Sequence, residues 1–161
     1  NALGTAMISF TAQNRGAGKP ERIHKGFFAG LRLEVCYWIL IGTVTFFFRE
    51  PIVSLFVAGA EADEVVRLGS QYLLFMAAFY LFPAFTNGFQ GFFRGMGKMG
   101  TTICGTVIQI SVRTVCTYLL APAMGIVGIA FSCAIGWSVM LLFEVPYYFY
   151  GVARGRTNMR K

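Results

Sequence analysis

Gly95, Gly97 and Gly100 stand in the spacing G-x-G-x-x-G within GFFRGMGKMG (91–100), and Lys98 lies among them. In that pattern backbone amides and a helix N-terminus cradle a pyrophosphate, provided the glycines leave a buried strand and open a helix. Neither flank offers a strand, because 68–93 and 101–121 are long apolar runs. A P-loop is excluded as well: Met99 follows Lys98, and Phe92 occupies the place of the first glycine. The expectation is a tight turn between two helices, with Arg94 and Lys98 facing anionic headgroups.

Ionisable groups inside apolar runs are the next place where chemistry could sit, since they are costly there without a partner or a wet cavity. Arg113 lies too deep in its run to snorkel, so it calls for an anionic or carbonyl partner. Glu144, on the following antiparallel run, is the expected one. Glu34 is the other buried acid, with Arg32 near in sequence but on another side of the helix. Each acid reads either as half of a fixed ion pair or as a protonatable or cation-binding group. Cys36, Cys104, Cys116 and Cys133 show no C-x-x-C spacing, and His24 is the single histidine. They predict no metal site and no disulfide framework, but small packing residues. No Ser-His-Asp set, H-E-x-x-H motif or pair of membrane aspartates is visible, so no catalytic machinery and no cofactor are expected.

The elements that must position these groups follow from composition. The chain of 161 residues is 56% hydrophobic and 13% charged, with 17 Phe, 7 Tyr and 2 Trp. A water-soluble domain would lack the polar surface to cover itself, so the expected solvent is a lipid bilayer. A helix needs about 20 apolar residues to cross the hydrocarbon. Four runs qualify, at 26–48, 68–93, 101–121 and 126–150, and 1–11 reads as the cut end of a fifth. β-Barrel alternation is absent. The predicted class is therefore all-α: four full transmembrane helices plus a truncated one, in a single membrane domain over 1–161. The chain opens on Asn1 within an apolar stretch, which reads as a piece of a longer protein.

The 14 Lys and Arg exceed the 7 Asp and Glu, but they cluster between apolar runs rather than on one solvated face, which argues against nucleic acid. Arg15, Lys19, Arg22 and Lys25 fill the first loop, Arg94 and Lys98 the third, and Arg154, Arg156, Arg160 and Lys161 the tail. The alternate loops hold Arg49 and Arg67, diluted by Glu50, Glu61, Asp63 and Glu64, or no charge at all. Basic loops mark the cytoplasmic side, so the ends of the helices sort consistently.

Within the spans, Thr102, Thr106, Gln109, Arg113 and Thr117 repeat at helical spacing, and Tyr72, Met76, Tyr80, Pro83, Asn87, Gln90 and Arg94 trace a second stripe. Two polar stripes imply a shared interior or cleft, although Thr, Asn and Gln also serve as hydrogen-bonding glue between helices. Tyr80, Asn87, Gln90 and Gln109 are the candidates for a cleft wall. Pro83, in mid-span, is the candidate hinge. Met76 and Tyr80 could hold flat cations through π contacts.

The loop TAQNRGAGKPERIHKG, followed about seventy residues later by GFFRGMGK, resembles the multidrug and toxic compound extrusion (MATE) family of transporters. Gln13, Gly16, Ala17 and Gly18 match that family's Q-x-x-G-A-G loop, and Arg94, Gly95 and Gly97 its R-G-x-G turn. The resemblance implies half of a twelve-helix, two-lobe bundle, with an N-terminal lobe as its partner. GKMGTT followed by Arg113 looks like the second lobe, from a partial eighth helix to the twelfth, and the short basic tail fits a C-terminus. It further implies a multi-pass protein of a prokaryotic inner membrane that exports cationic amphipathic compounds by alternating access, in exchange for H⁺ or Na⁺. Some members carry a carboxylate in the tenth helix; alignment on R-G-x-G puts Pro83 there, so the coupling acid is expected in the other lobe. The alternatives are a lipid-linked sugar flippase, which would want several cations where this chain has Arg113, and a membrane-embedded enzyme or assembly subunit.

Overall fold

The computed structural model describes residues 2–57 and 62–158, with side chains to residue 151. Glu61, Arg160 and Lys161 lie outside the described residues, as do the side chains of Arg154 and Arg156. The described residues form six α-helices: α1 (Ala2–Gly16), α2 (Pro20–Ser54), α3 (Ala62–Phe79), α4 (Leu81–Gly95), α5 (Met99–Met124) and α6 (Ile126–Asn158). By length and composition α2, α5 and Ile126–Gly151 can each cross a membrane, and α3 with α4 supplies a fourth crossing if the bent pair is one span.

That pair is the main correction to the sequence reading. The run 68–93 is two helices meeting at a bend of 47°, with Tyr80 at the junction. Pro83 has no N–H for the carbonyl of Phe79, and its ring crowds that carbonyl, so α3 stops at Phe79 and the proline falls in the first turn of α4. Tyr80 N–H still donates to Met76 O at 2.8 Å, and Ala84 N–H to Tyr80 O at 3.2 Å. The same chemistry recurs in α2, where Phe48 leaves helical geometry (φ −111°, ψ 15°) three residues before Pro51. The other helices outrun their apolar runs: 26–48 becomes Pro20–Ser54 and 126–150 becomes Ile126–Asn158. Their ends are set by local backbone devices such as Pro20 at the first turn of α2, not by the edge of the hydropathy.

Both glycine motifs are helix caps. Lys19 N–H donates to Asn14 O and Gly18 N–H to Arg15 O; one motif later Lys98 N–H donates to Phe93 O and Gly97 N–H to Arg94 O. This paired six-to-one and five-to-two bonding closes a helix when its next residue turns left-handed. Gly18 (φ 65°) and Gly97 (φ 72°) do so, without the penalty a β-carbon would bring. The two caps meet, because Arg15 Nη1 donates to Met96 O at 2.6 Å. The first and third basic loops therefore lie at the same end of the bundle, as the charge pattern requires.

α4 is the hub, in contact with each of the other five helices. Gly88, Gly91 and Gly95 line its buried face and let neighbours come close: a β-carbon at Gly91 would lie 2.8 Å from Gly4 O, and one at Gly95 2.8 Å from Ile8 O. Around its C-terminal half, Met7, Ile23, Phe27, Phe89, Phe92, Phe93 and Tyr148 form the larger core, with Phe27 and Tyr148 stacked at 4.7 Å. A smaller core of Met76, Ala130 and Cys133 joins α3 to α6. Outward, Leu40, Phe47, Ile103, Tyr118 and Leu119 are exposed, a surface suited to lipid or another apolar partner and not to water. Cys36 and Cys104 are exposed too, against the expectation that all four cysteines are packing residues.

Candidate functional site

The most polar region of the interior lies where α4, α5 and α6 converge. Arg94, in the last turn of α4, donates from Nη2 to Gln90 Oε1 at 3.1 Å. Gln90 Nε2 in turn donates to Thr106 Oγ1 of α5 at 3.2 Å and approaches Met140 Sδ of α6 at 3.8 Å. The Gln90 side chain lies beside the Glu144 carboxyl. Thr106 Oγ1 donates to Thr102 O, one turn back. Glu144 is completely enclosed, with no solvent exposure, and neither of its oxygens has a hydrogen-bond partner; Thr102 Oγ1 is likewise buried and unpartnered. Gly105 provides the room, since a β-carbon there would touch Glu144 Oε1 at 3.4 Å. What this arrangement can do is hold one carboxyl, charged or neutralised, beside the Gln90 amide, which itself bridges to Thr106 of α5.

The second orphan acid is on the other side of α4. Glu34 is buried, its Oε2 has no partner, and a β-carbon at Gly88 would lie 3.0 Å from that oxygen and 2.7 Å from Leu31 Cδ2. The expected ion pairs are absent. Among the described residues the one ion pair is Arg67–Glu64 at 3.3 Å, on the surface. Arg113 does not reach Glu144, because α5 and α6 are in antiparallel register with Gly105 against Glu144 and Gly136 against Arg113. That register separates the two by two helical turns, about 12 Å. Arg113 and Arg32 are both exposed.

The other sequence candidates separate. Gln90 and Gln109 come to the α5 interface, Gln109 buried with its carbonyl close to Gly136. Asn87 is half-buried, and Tyr80, at the bend, is 52% exposed. The bend breaks the long stripe of Tyr72 to Arg94 into two faces: Tyr72 and Met76 turn to the α3–α6 core, Gln90 and Arg94 to the α5–α6 network. Gln13, Gly16, Ala17, Gly18, Gly95 and Gly97 serve as caps and close helix contacts. No group of three or more His, Cys, Asp or Glu suited to a metal occurs among the described residues. Sequence reasoning missed Met140 and the His24–Tyr148 hydrogen bond, 2.8 Å across α2 and α6. Neither has a spacing signal, since both contacts join distant segments.

The geometry is that of a helical membrane bundle, and the MatE family profile matches residues 1–119. The chain belongs to the MatE (MATE) family, whose relatives here carry transporter names. Probable multidrug resistance protein NorM of Bacillus cereus is 27% identical over 146 residues, 85% of this chain and 31% of that protein. Probable multidrug resistance protein YpnP of Bacillus subtilis is 27% identical over 93% of the chain and 33% of its own length. A FAD transporter of Shewanella oneidensis is 26% identical over 66% of the chain and 24% of its length. The fold is similar to part of a solved structure described as the inward-facing conformation of a multidrug resistance MATE family transporter of the MOP superfamily, with a TM-score of 0.80, 22% identity, and coverage of 91% of this chain and 33% of that one. The chain thus spans about a quarter to a third of the relatives it matches.

Proposed function

We propose that the intact protein is a secondary active transporter that exports cationic amphipathic compounds by alternating access, in exchange for H⁺ or Na⁺, in a bacterial inner membrane. The observation that carries this reading is the family match over residues 1–119, seated on a bundle whose interior keeps carboxyls without fixed partners. An alternating-access machine needs a further repeat for this one to rock against, and the exposed apolar faces of α2 and α5 suit such a partner as well as lipid. The purified full-length protein, reconstituted in vesicles, should move a cationic dye against its gradient when a Na⁺ or pH gradient is imposed. Gradient-independent leakage alone would end this reading.

An anionic substrate is the second reading, favoured by similarity to the FAD transporter and by Arg113, exposed on α5. Uptake or efflux of labelled FAD in the same vesicles separates the two. A flippase for lipid-linked sugars is less favoured, since Arg113 is the one cation in 101–121 to meet a pyrophosphate.

A further inference from the structure

We propose that the two glycine turns at the basic end of the bundle form a binding surface for the headgroups of anionic phospholipids, with Lys19 and Lys98 as its matched cations. The pentapeptide R-G-x-G-K occurs twice, at 15–19 and at 94–98. Each copy closes one helix on a left-handed glycine, Gly18 or Gly97, and delivers its lysine to the position just before the next helix, α2 or α5. Neither lysine makes a side-chain cap. Each sets a positive charge at the positive end of a helix dipole, a position that favours Asp, Asn, Ser or Thr. Helix stability therefore gives no reason for these lysines, and a nearby anion does. The proposal rests on the bundle lying in a bilayer and not on what the protein transports.

The charges around the two lysines are of one sign. Arg15, Lys19, Arg22, Lys25 and Arg94 are exposed and Lys98 is half-buried, while Glu21 is the one acid in 15–25 and 94–98. None of the six cations has a carboxylate partner among the described residues, where the one ion pair is Arg67–Glu64. Three are already held in place: Arg15 by Met96 O, Arg94 by Gln90 and Lys98 over the Tyr147 ring at 5.1 Å. Exposed apolar side chains begin at once beyond the charges, with Phe28 one turn after Lys25, Met99 next to Lys98 and Ile103 a turn further. A nucleic acid or an acidic peptide would leave that apolar flank in water. A phospholipid meets the charges with its headgroup and the flank with its chains. The opposite loop has no such surplus: Arg49 and Arg67 stand among Glu50, Asp63 and Glu64, and Arg67 is paired.

The test takes the purified full-length protein in mixed micelles holding equal amounts of phosphatidylglycerol and phosphatidylcholine, and native mass spectrometry reads the ratio of the two lipids retained. Phosphatidylglycerol should be preferred, by a margin that shrinks as salt screens the charges. Lys19→Gln combined with Lys98→Gln should lower the preference by about fivefold for each lysine removed, and K19R/K98R should keep it. The charge-matched pair R49Q/R67Q should leave it unchanged. Equal retention of both lipids by the wild type, or an equal loss in R49Q/R67Q, overturns the proposal. So does displacement of phosphatidylglycerol by inorganic phosphate at constant ionic strength, which would assign the cations to a soluble anion. Because K19Q/K98Q can fail to fold, the wild type in phosphatidylcholine vesicles is also crosslinked with a phosphatidylglycerol that carries a photoactivatable headgroup. Adducts should concentrate in 15–28 and 94–103; adducts spread evenly over both ends of the bundle overturn the surface. Neither measurement depends on transport, so a failed efflux assay and a failed lipid surface remain distinguishable.

Discussion

Glu34 and Glu144 are two buried acids on opposite sides of one helix, facing Gly88 and Gln90 of α4, and their surroundings differ in kind. Two residues along a helix turn the direction by about 200°, so the acids do not share a chamber. Glu34 meets a bare glycine and the end of Leu31; Glu144 sits beside an amide, with Thr106 and the orphan hydroxyl of Thr102 on the adjoining face of α5. Burial alone therefore does not make a site. A carboxyl among alkyl groups can only be neutral or displaced, whereas one beside a polar side chain has a dipole to offset part of its charge.

The sharpest way to break this contrast is to invert both charges. Glu144→Lys puts an ammonium in a fully enclosed position, and should cost about 3 to 5 kcal/mol, the penalty of an uncompensated buried charge. Glu34→Lys should cost less, since only Oε2 of Glu34 is both buried and unpartnered and a longer side chain can leave on the other side. Thermal unfolding of the full-length variants in detergent, with size-exclusion recovery, measures both. Equal losses would mean that the two sites are alike.

Next in size are the glycines that set the two environments. Gly95→Ala should destabilise by about 1 to 3 kcal/mol, because its β-carbon would meet the rigid Ile8 carbonyl at 2.8 Å. Gly88→Ala meets only the tips of Leu31 and Glu34, which can rotate away, and should cost under about 1 kcal/mol. The same melting assay orders them. Were Gly88→Ala the worse of the pair, Glu34 would be held rigidly and the picture of a loose alkyl surrounding would fall.

Much of this was legible in the residues. Apolar runs announced the spans, the alternate basic loops announced their common end, and the two glycine motifs announced turns. What the motifs did not reveal is that each is a left-handed cap and that Arg15 ties them together, because a hydrogen bond from 15 to 96 joins segments whose spacing carries no period. The stripe from Tyr72 to Arg94 was read at constant helical pitch, and Pro83 invalidates that arithmetic by ending α3 at Phe79. The pairing of Arg113 with Glu144 failed for a related reason. Sequence gives the order of two antiparallel helices but not their register, and a slide of two turns exchanges a partner for a glycine.

The smallest predicted effect tests that register. Arg113→Ala should change stability by no more than about 0.5 kcal/mol, as expected of an exposed side chain with no ion partner. If Arg113 and Glu144 were paired instead, removing the guanidinium would strand a buried carboxylate and cost about 3 to 5 kcal/mol, and Glu144→Gln would rescue part of it in the double variant. A double-mutant cycle by thermal unfolding reads the coupling directly. A coupling near zero leaves Glu144 without a fixed partner, whereas a coupling of several kcal/mol would make it half of a structural pair and set it apart from the unpaired Glu34.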